Sequence, residues 1–178
     1  MGLVNRGRLV DILFIFVIFI TVGVLLFSSS ETNANSKNYE RMKIAVQEEA
    51  VLTIEEQETL DLINEYRREN GLTDLKAFKE LQQVAKLKAD DLVKNAYFAH
   101  NSEALGTPFE MLEDNGIGYA VAGENLCGNT TPERAVEAWI NSMPHRENIL
   151  DDEFEYTGLC VVDSPVYGRV FVQLFMGL

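Results

Sequence analysis

The sequence predicts an α+β domain arranged as a three-layer α-β-α sandwich, with a small antiparallel sheet of about three strands flanked by about four helices. Three observations predict it. Residues 169–176 alternate, with Val170, Val172, Leu174 and Met176 on one face and Phe171 and Phe175 on the other. A strand that is apolar on both faces has to be covered on both faces. Upstream, Thr53, Thr107 and Thr131 each sit where a hydroxyl can open a helix, so helices supply the cover.

The first helix is predicted over 53–68. Thr53-Ile54-Glu55-Glu56 is a capping box, Leu60, Ile63 and Tyr66 make a stripe, and Asn70-Gly71 ends it. The second is predicted over 75–96, with Phe78, Leu81, Ala85, Leu92 and Ala96 facing the core and lysines and aspartates opposite. Thr107-Pro108-Phe109-Glu110 is another capping box with proline at the first helical position, and Asn115-Gly116 stops that short helix. Thr131-Pro132-Glu133 opens a helix to about Ser142 that buries Ala135, Val136 and Trp139. Strands are predicted over 118–127, bent at Gly123 to present Glu124, and over 156–163 and 169–176, the last two joined as a hairpin by Ser164-Pro165-Val166-Tyr167-Gly168.

The N-terminus differs in kind. Arg6 and Arg8 precede an apolar run over 12–27, interrupted by Thr21 and Gly23, which reads as a signal anchor or signal peptide over 1–30. No clean Ala-x-Ala cleavage site follows, which favours the anchor, and the leading arginines place the rest of the chain outside the cytoplasm. If cleaved, the protein is secreted. Residues 31–52 read as a polar tether and 53–178 as the folded domain. Membrane contact is expected through the N-terminal segment alone. The formal net charge of −13 excludes nucleic acid as a partner, because polyanion binding needs a basic footprint. Cys127 and Cys160 permit one disulfide in an oxidising compartment, closing a loop of about thirty residues and contributing ~3–4 kcal/mol. Two buried free thiols are the other reading.

The chain has two histidines, each in a chemically dense segment. His100 lies in Tyr97-Phe98-Ala99-His100-Asn101-Ser102, and His145 in Trp139-Ile140-Asn141-Ser142-Met143-Pro144-His145-Arg146-Glu147-Asn148-Ile149-Leu150, with Gly123-Glu124-Asn125-Leu126 between them. Two imidazoles and a carboxylate suit three roles: a zinc or other divalent cation site with His100, His145 and Glu124 as ligands, acid/base chemistry, or hydrogen bonds that hold a cleft open. The sequence offers no activated serine or cysteine nucleophile. Asn125 and Asn148 read as ties between loops and backbone.

Together with Leu62-Ile63-Asn64-Glu65-Tyr66-Arg67, these segments make residues 60–178 resemble the CAP superfamily, also called SCP/TAPS, which comprises cysteine-rich secretory, antigen 5 and pathogenesis-related 1 proteins. The bacterial branch is the nearest in pattern. The resemblance implies an α-β-α sandwich with an open cleft that carries two histidines and two acids and holds a divalent cation in several members. His100, Glu124 and His145 take three of those positions. The fourth falls near Ser142, which is no carboxylate, and Glu137 and Glu147 are its acidic neighbours in sequence. The resemblance also implies binding of a small molecule, a lipid or a cell-surface or cell-wall component. A non-enzymatic binding protein is the leading expectation. A metal- or histidine-dependent hydrolase of extracytoplasmic peptides or glycans is the alternative, and a scaffold without a ligand is a third.

Overall fold

The computed structural model describes residues 50–178, so the expected anchor and nearly all of the tether lie outside the described residues. Among the described residues five helices and four strands follow in the order α1 Ile54–Glu69, β1 Lys76–Ala77, α2 Lys79–Lys94, α3 Pro108–Asp114, β2 Val121–Asn129, α4 Pro132–Asn141, α5 Met143–Ile149, β3 Tyr156–Ser164 and β4 Gly168–Gly177. The sheet order is β1-β3-β4-β2. β4 pairs antiparallel with both β2 and β3, while β1 lies parallel to β3.

The expected sandwich is correct, with two additions. The sheet is mixed and four-stranded because residues 76–77, expected as helix, add a short parallel strand before α2 begins. A fifth helix, α5, forms in a segment for which no element was predicted, its first turn set by Pro144. Both capping boxes are in place, at Thr53 with Glu56 and at Thr107 with Glu110.

The alternation in β4 builds two cores. Val170, Val172, Leu174 and Met176 pack with Phe78, Leu81, Val84, Ala85 and Leu92 of the α2 layer. Phe171 and Phe175 pack on the other face with Leu60 and Ile63 of α1, Val136 and Trp139 of α4 and Ile149 of α5. Gly158 lets β3 and α2 meet, because a Cβ there would lie 2.3 Å from the Leu81 backbone carbon. Gly123 has no unusual backbone torsion. Its value is size, since a Cβ would press the Phe154 ring at 3.1 Å.

The same parity removes the expected disulfide. Cys127 pairs with Phe171 and Cys160 with Val172, neighbouring residues of β4, so the two thiols point to opposite faces. β4 also stands between their strands, which separates them by about 9.6 Å, beyond the ~7 Å limit for bridged Cα atoms. Both cysteines are free and buried.

Candidate functional site

β2 is an edge strand, and its free edge is dressed by side chains from α4 and α5. Trp139 Nε1 donates to the Leu126 carbonyl at 3.1 Å, and Asn148 Nδ2 donates to the Glu124 carbonyl at 3.2 Å. Asn148 Nδ2 also reaches Asn125 Oδ1 at 2.9 Å, and Asn125 Nδ2 reaches the His145 carbonyl at 3.0 Å. These amides fasten α5 to the strand that carries Glu124, as expected of Asn125 and Asn148, and they block an edge that would otherwise invite pairing.

Arg67 anchors α5 from the other end. It is fully buried, and its guanidinium donates to the carbonyls of Thr73 (2.8 Å), Ile149 (2.7 Å), Asp151 (2.9 Å) and Phe154 (3.3 Å). Asn64, one turn earlier, exchanges two hydrogen bonds with the Leu75 backbone. The Asn64-Glu65-Tyr66-Arg67 segment is thus a structural clamp. The sequence stripe put Tyr66 on the core face, whereas the fully buried member is Arg67.

On the α2 side, His100 Nδ1 lies 2.7 Å from Glu124 Oε1. The His100 side chain is 57% exposed and that of Glu124 only 2%. The pair therefore presents an imidazole to solvent with a carboxylate sunk behind it. Burial pushes the Glu124 carboxyl above its ordinary value, while the His100 hydrogen bond and the positive charges of Lys88 and His100 pull it back in part. Its second oxygen, Oε2, is buried without a hydrogen-bond partner.

The loop that carries His100 rests on a network that sequence reasoning missed. Lys88, fully buried, donates to the His100 carbonyl at 2.7 Å and to Tyr97 Oη at 3.2 Å. Asp91 accepts from the Tyr97 hydroxyl, from Ser102 Oγ at 2.7 Å and from Asn95 Nδ2 at 2.6 Å. Burial pushes Asp91 up, but these three donors and the Lys88 charge together hold it below the usual carboxylate value. Tyr97 is driven up to about 12 by burial and by its bond to Asp91. The expectation that α2 keeps its lysines and aspartates away from the core fails at these two residues. The signal was present: Lys88 occupies the gap at i, i+4, i+7, i+11 between Leu81, Ala85 and Leu92, a cation inside an apolar stripe. Ala96, expected on that stripe, instead lies past the helix end in the left-handed region at φ 52°.

His145 sits on α5, half-buried, and burial together with the nearby charge of His100 lowers its imidazole below the ordinary value. Ser142 joins α4 to α5, ending one and preceding the other, and its hydroxyl makes no capping bond. Glu137 and Glu147 are exposed. Among the described residues no three His, Cys, Asp or Glu side chains converge as metal ligands. Glu124 Oε1 is already committed to His100, and the fourth family position is a serine. The structure thus brings together a His100–Glu124 pair, with His145 near enough to feel the charge of His100, rather than three converging ligands.

The family profile described as CAP, the cysteine-rich secretory protein family, matches residues 60–175. The uncharacterized protein YkwD of Bacillus subtilis (strain 168) is 39% identical over 123 residues, covering 68% of this chain and 47% of YkwD. The uncharacterized membrane protein YlbC of the same organism is 32% identical over 124 residues, 69% of this chain and 36% of YlbC. The chain thus spans about half or less of each of these relatives. A crystal structure of an extracellular protein containing an SCP domain from Bacillus anthracis superposes with a TM-score of 0.65 at 29% identity, over 72% of this chain and 45% of that one. With its profile match, its relatives and its sandwich in agreement, the chain belongs to the CAP, or cysteine-rich secretory protein, family in its bacterial SCP-domain form.

Proposed function

We propose that this is an extracytoplasmic CAP-domain protein, held at the membrane by its N-terminal segment, that binds a cell-wall or lipid component at the His100–Glu124 pair beside β2. The observation that carries the reading is the exposed His100 ring braced at 2.7 Å by the buried Glu124. The solvent-facing ring offers a ligand a group that can donate or accept a hydrogen bond, and the carboxylate behind it fixes the ring's orientation. The extracellular description of the Bacillus anthracis protein and the membrane description of YlbC support the location.

The same pair favours one second reading. A carboxylate that fixes one ring nitrogen leaves the other able to take or give a proton, which suits histidine-dependent hydrolysis of a peptide or glycan. Co-sedimentation of the full chain, with its N-terminal segment already seated in zwitterionic lipid discs, with purified peptidoglycan and with phosphatidylglycerol vesicles tests the binding reading, protein-free discs being the blank. Binding reduced at least tenfold in both His100→Ala and Glu124→Gln supports it. Equal sedimentation of the wild type and both variants overturns it. Release of soluble fragments from the peptidoglycan, lost in His100→Ala, would select hydrolysis.

A further inference from the structure

We infer that the groove between α1 and α4 is a docking site for a basic amphipathic helix of another protein. The groove shares no residue with the His100–Glu124 pair, so this inference stands apart from the proposed function.

The floor comes from one face of each helix. Leu62 and Tyr66 of α1 and Val136 and Ile140 of α4 line a cavity of about 530 Å³. Leu62, Tyr66 and Ile140 are only partly buried, packed on the core beneath and open above. A second cavity of about 1000 Å³ adjoins it along α1, sharing Leu62 and Glu65 and extending to Ile54, itself 87% exposed. Positions 54, 58, 61, 62, 65, 66 and 69 form a single stripe on α1, opposite the buried stripe at 56, 59, 60, 63 and 67. On that second stripe Ile54 is exposed, and Leu62 and Tyr66 use only part of their apolar surface against the core.

The walls are acidic. Glu65 and Glu69 of α1 line the α1–α4 cavity with Glu133 and Glu137 of α4, and Glu58 and Asp61 line the second cavity along α1. Arg68 is the one cation lining the groove among the described residues, and it is engaged with Asp74 at 2.8 Å. Glu58 is pushed above its ordinary value by partial loss of solvent and by the Glu133 carboxylate beside it. Like charges facing each other across an open apolar trough complement a partner that brings cations and apolar side chains together. A helix with apolar residues at i, i+3, i+4 and i+7 and lysine or arginine on its flanks does so in one element. The sixteen residues of α1 span about 24 Å, enough for a partner of four turns.

Fluorescence anisotropy with the full chain in zwitterionic lipid discs tests this, with empty discs as the blank. The probe is a sixteen-residue leucine/lysine amphipathic peptide; the comparison peptides carry glutamate for lysine, or serine for leucine. Saturable binding of the first, at least tenfold tighter than either comparison, is expected. Glu65→Lys with Glu137→Lys should weaken it at least tenfold, whereas Glu103→Lys with Asp114→Lys, an equal charge change elsewhere, should leave it within twofold. Equal weakening by both pairs means general charge attraction and overturns the docking site. Equal binding of the leucine and serine peptides also overturns it, because the floor then contributes nothing.

Discussion

Arg67→Ala should cost more stability than any loss of a surface charge, and the structure gives the magnitude. The substitution strips donors from four carbonyls, at 2.7 to 3.3 Å, in a residue with no solvent exposure. Hydrogen bonds from a charged donor contribute roughly 1.5–3 kcal/mol each, so a simple sum would exceed the stability of many domains. Two effects reduce it. The buried guanidinium carries a desolvation cost, visible as a downward shift of its pKa by burial that Asp151, Asp74 and Asp152 partly offset. Water can also enter the space vacated and bond some of the carbonyls. The expected net loss is ~4 kcal/mol, in the range for breaking a buried charged network. For a domain of this size that corresponds to a fall of roughly 15 °C in Tm. Arg67→Lys keeps the charge but offers a single ammonium with three donors to four carbonyls, so about 2 kcal/mol is expected. Urea unfolding followed by tryptophan fluorescence measures both, and Trp139 reports directly from the core. Losses under ~1 kcal/mol for both variants, at unchanged m-value, would refute the idea that this residue clamps α5.

Other expectations follow from the same geometry. Asp91→Asn should destabilise by ~2–3 kcal/mol at pH 7, because one amide oxygen cannot receive three donors. Asp91 has a depressed folded-state pKa, so its stabilisation is present above the unfolded value near 3.8 and is lost as pH falls through the folded one; the gap between variant and wild type should close below about pH 4 in acid-unfolding curves. His145 should titrate below an ordinary histidine in NMR, and a midpoint at or above ~6.5 would contradict its burial beside His100. Ala96→Gly should stabilise by ~0.5–1 kcal/mol in thermal melts by removing a left-handed alanine from the end of α2. Native protein should resist iodoacetamide at both cysteines and react fully once unfolded, without reductant, since the Cys160 thiol is pushed up to about 12 by burial; a mass two hydrogens short would restore the disulfide.

Much of this protein was written in its local sequence. The capping boxes at Thr53 and Thr107, the proline-led α4 and the two-faced β4 follow from backbone donors, turn residues and a period of two. Those signals are readable because each depends on neighbours within one turn or one strand. The segments bearing His100, Glu124 and His145 were likewise visible as chemistry. Their mutual placement was not. Whether Cys127 and Cys160 face one another depends on which residues of β4 each is registered against, and a pairing of opposite parity separates them. Lys88 and Arg67 look like surface cations until distant carbonyls and carboxylates close around them. Glu124 becomes a buried carboxylate with a single histidine partner, and no ligand set for a metal, only when β2, the His100 loop and α5 come together at the edge of the sheet. Register, burial and the neutralisation of charge are properties of contacts between residues remote in sequence, and only the tertiary structure fixes those contacts.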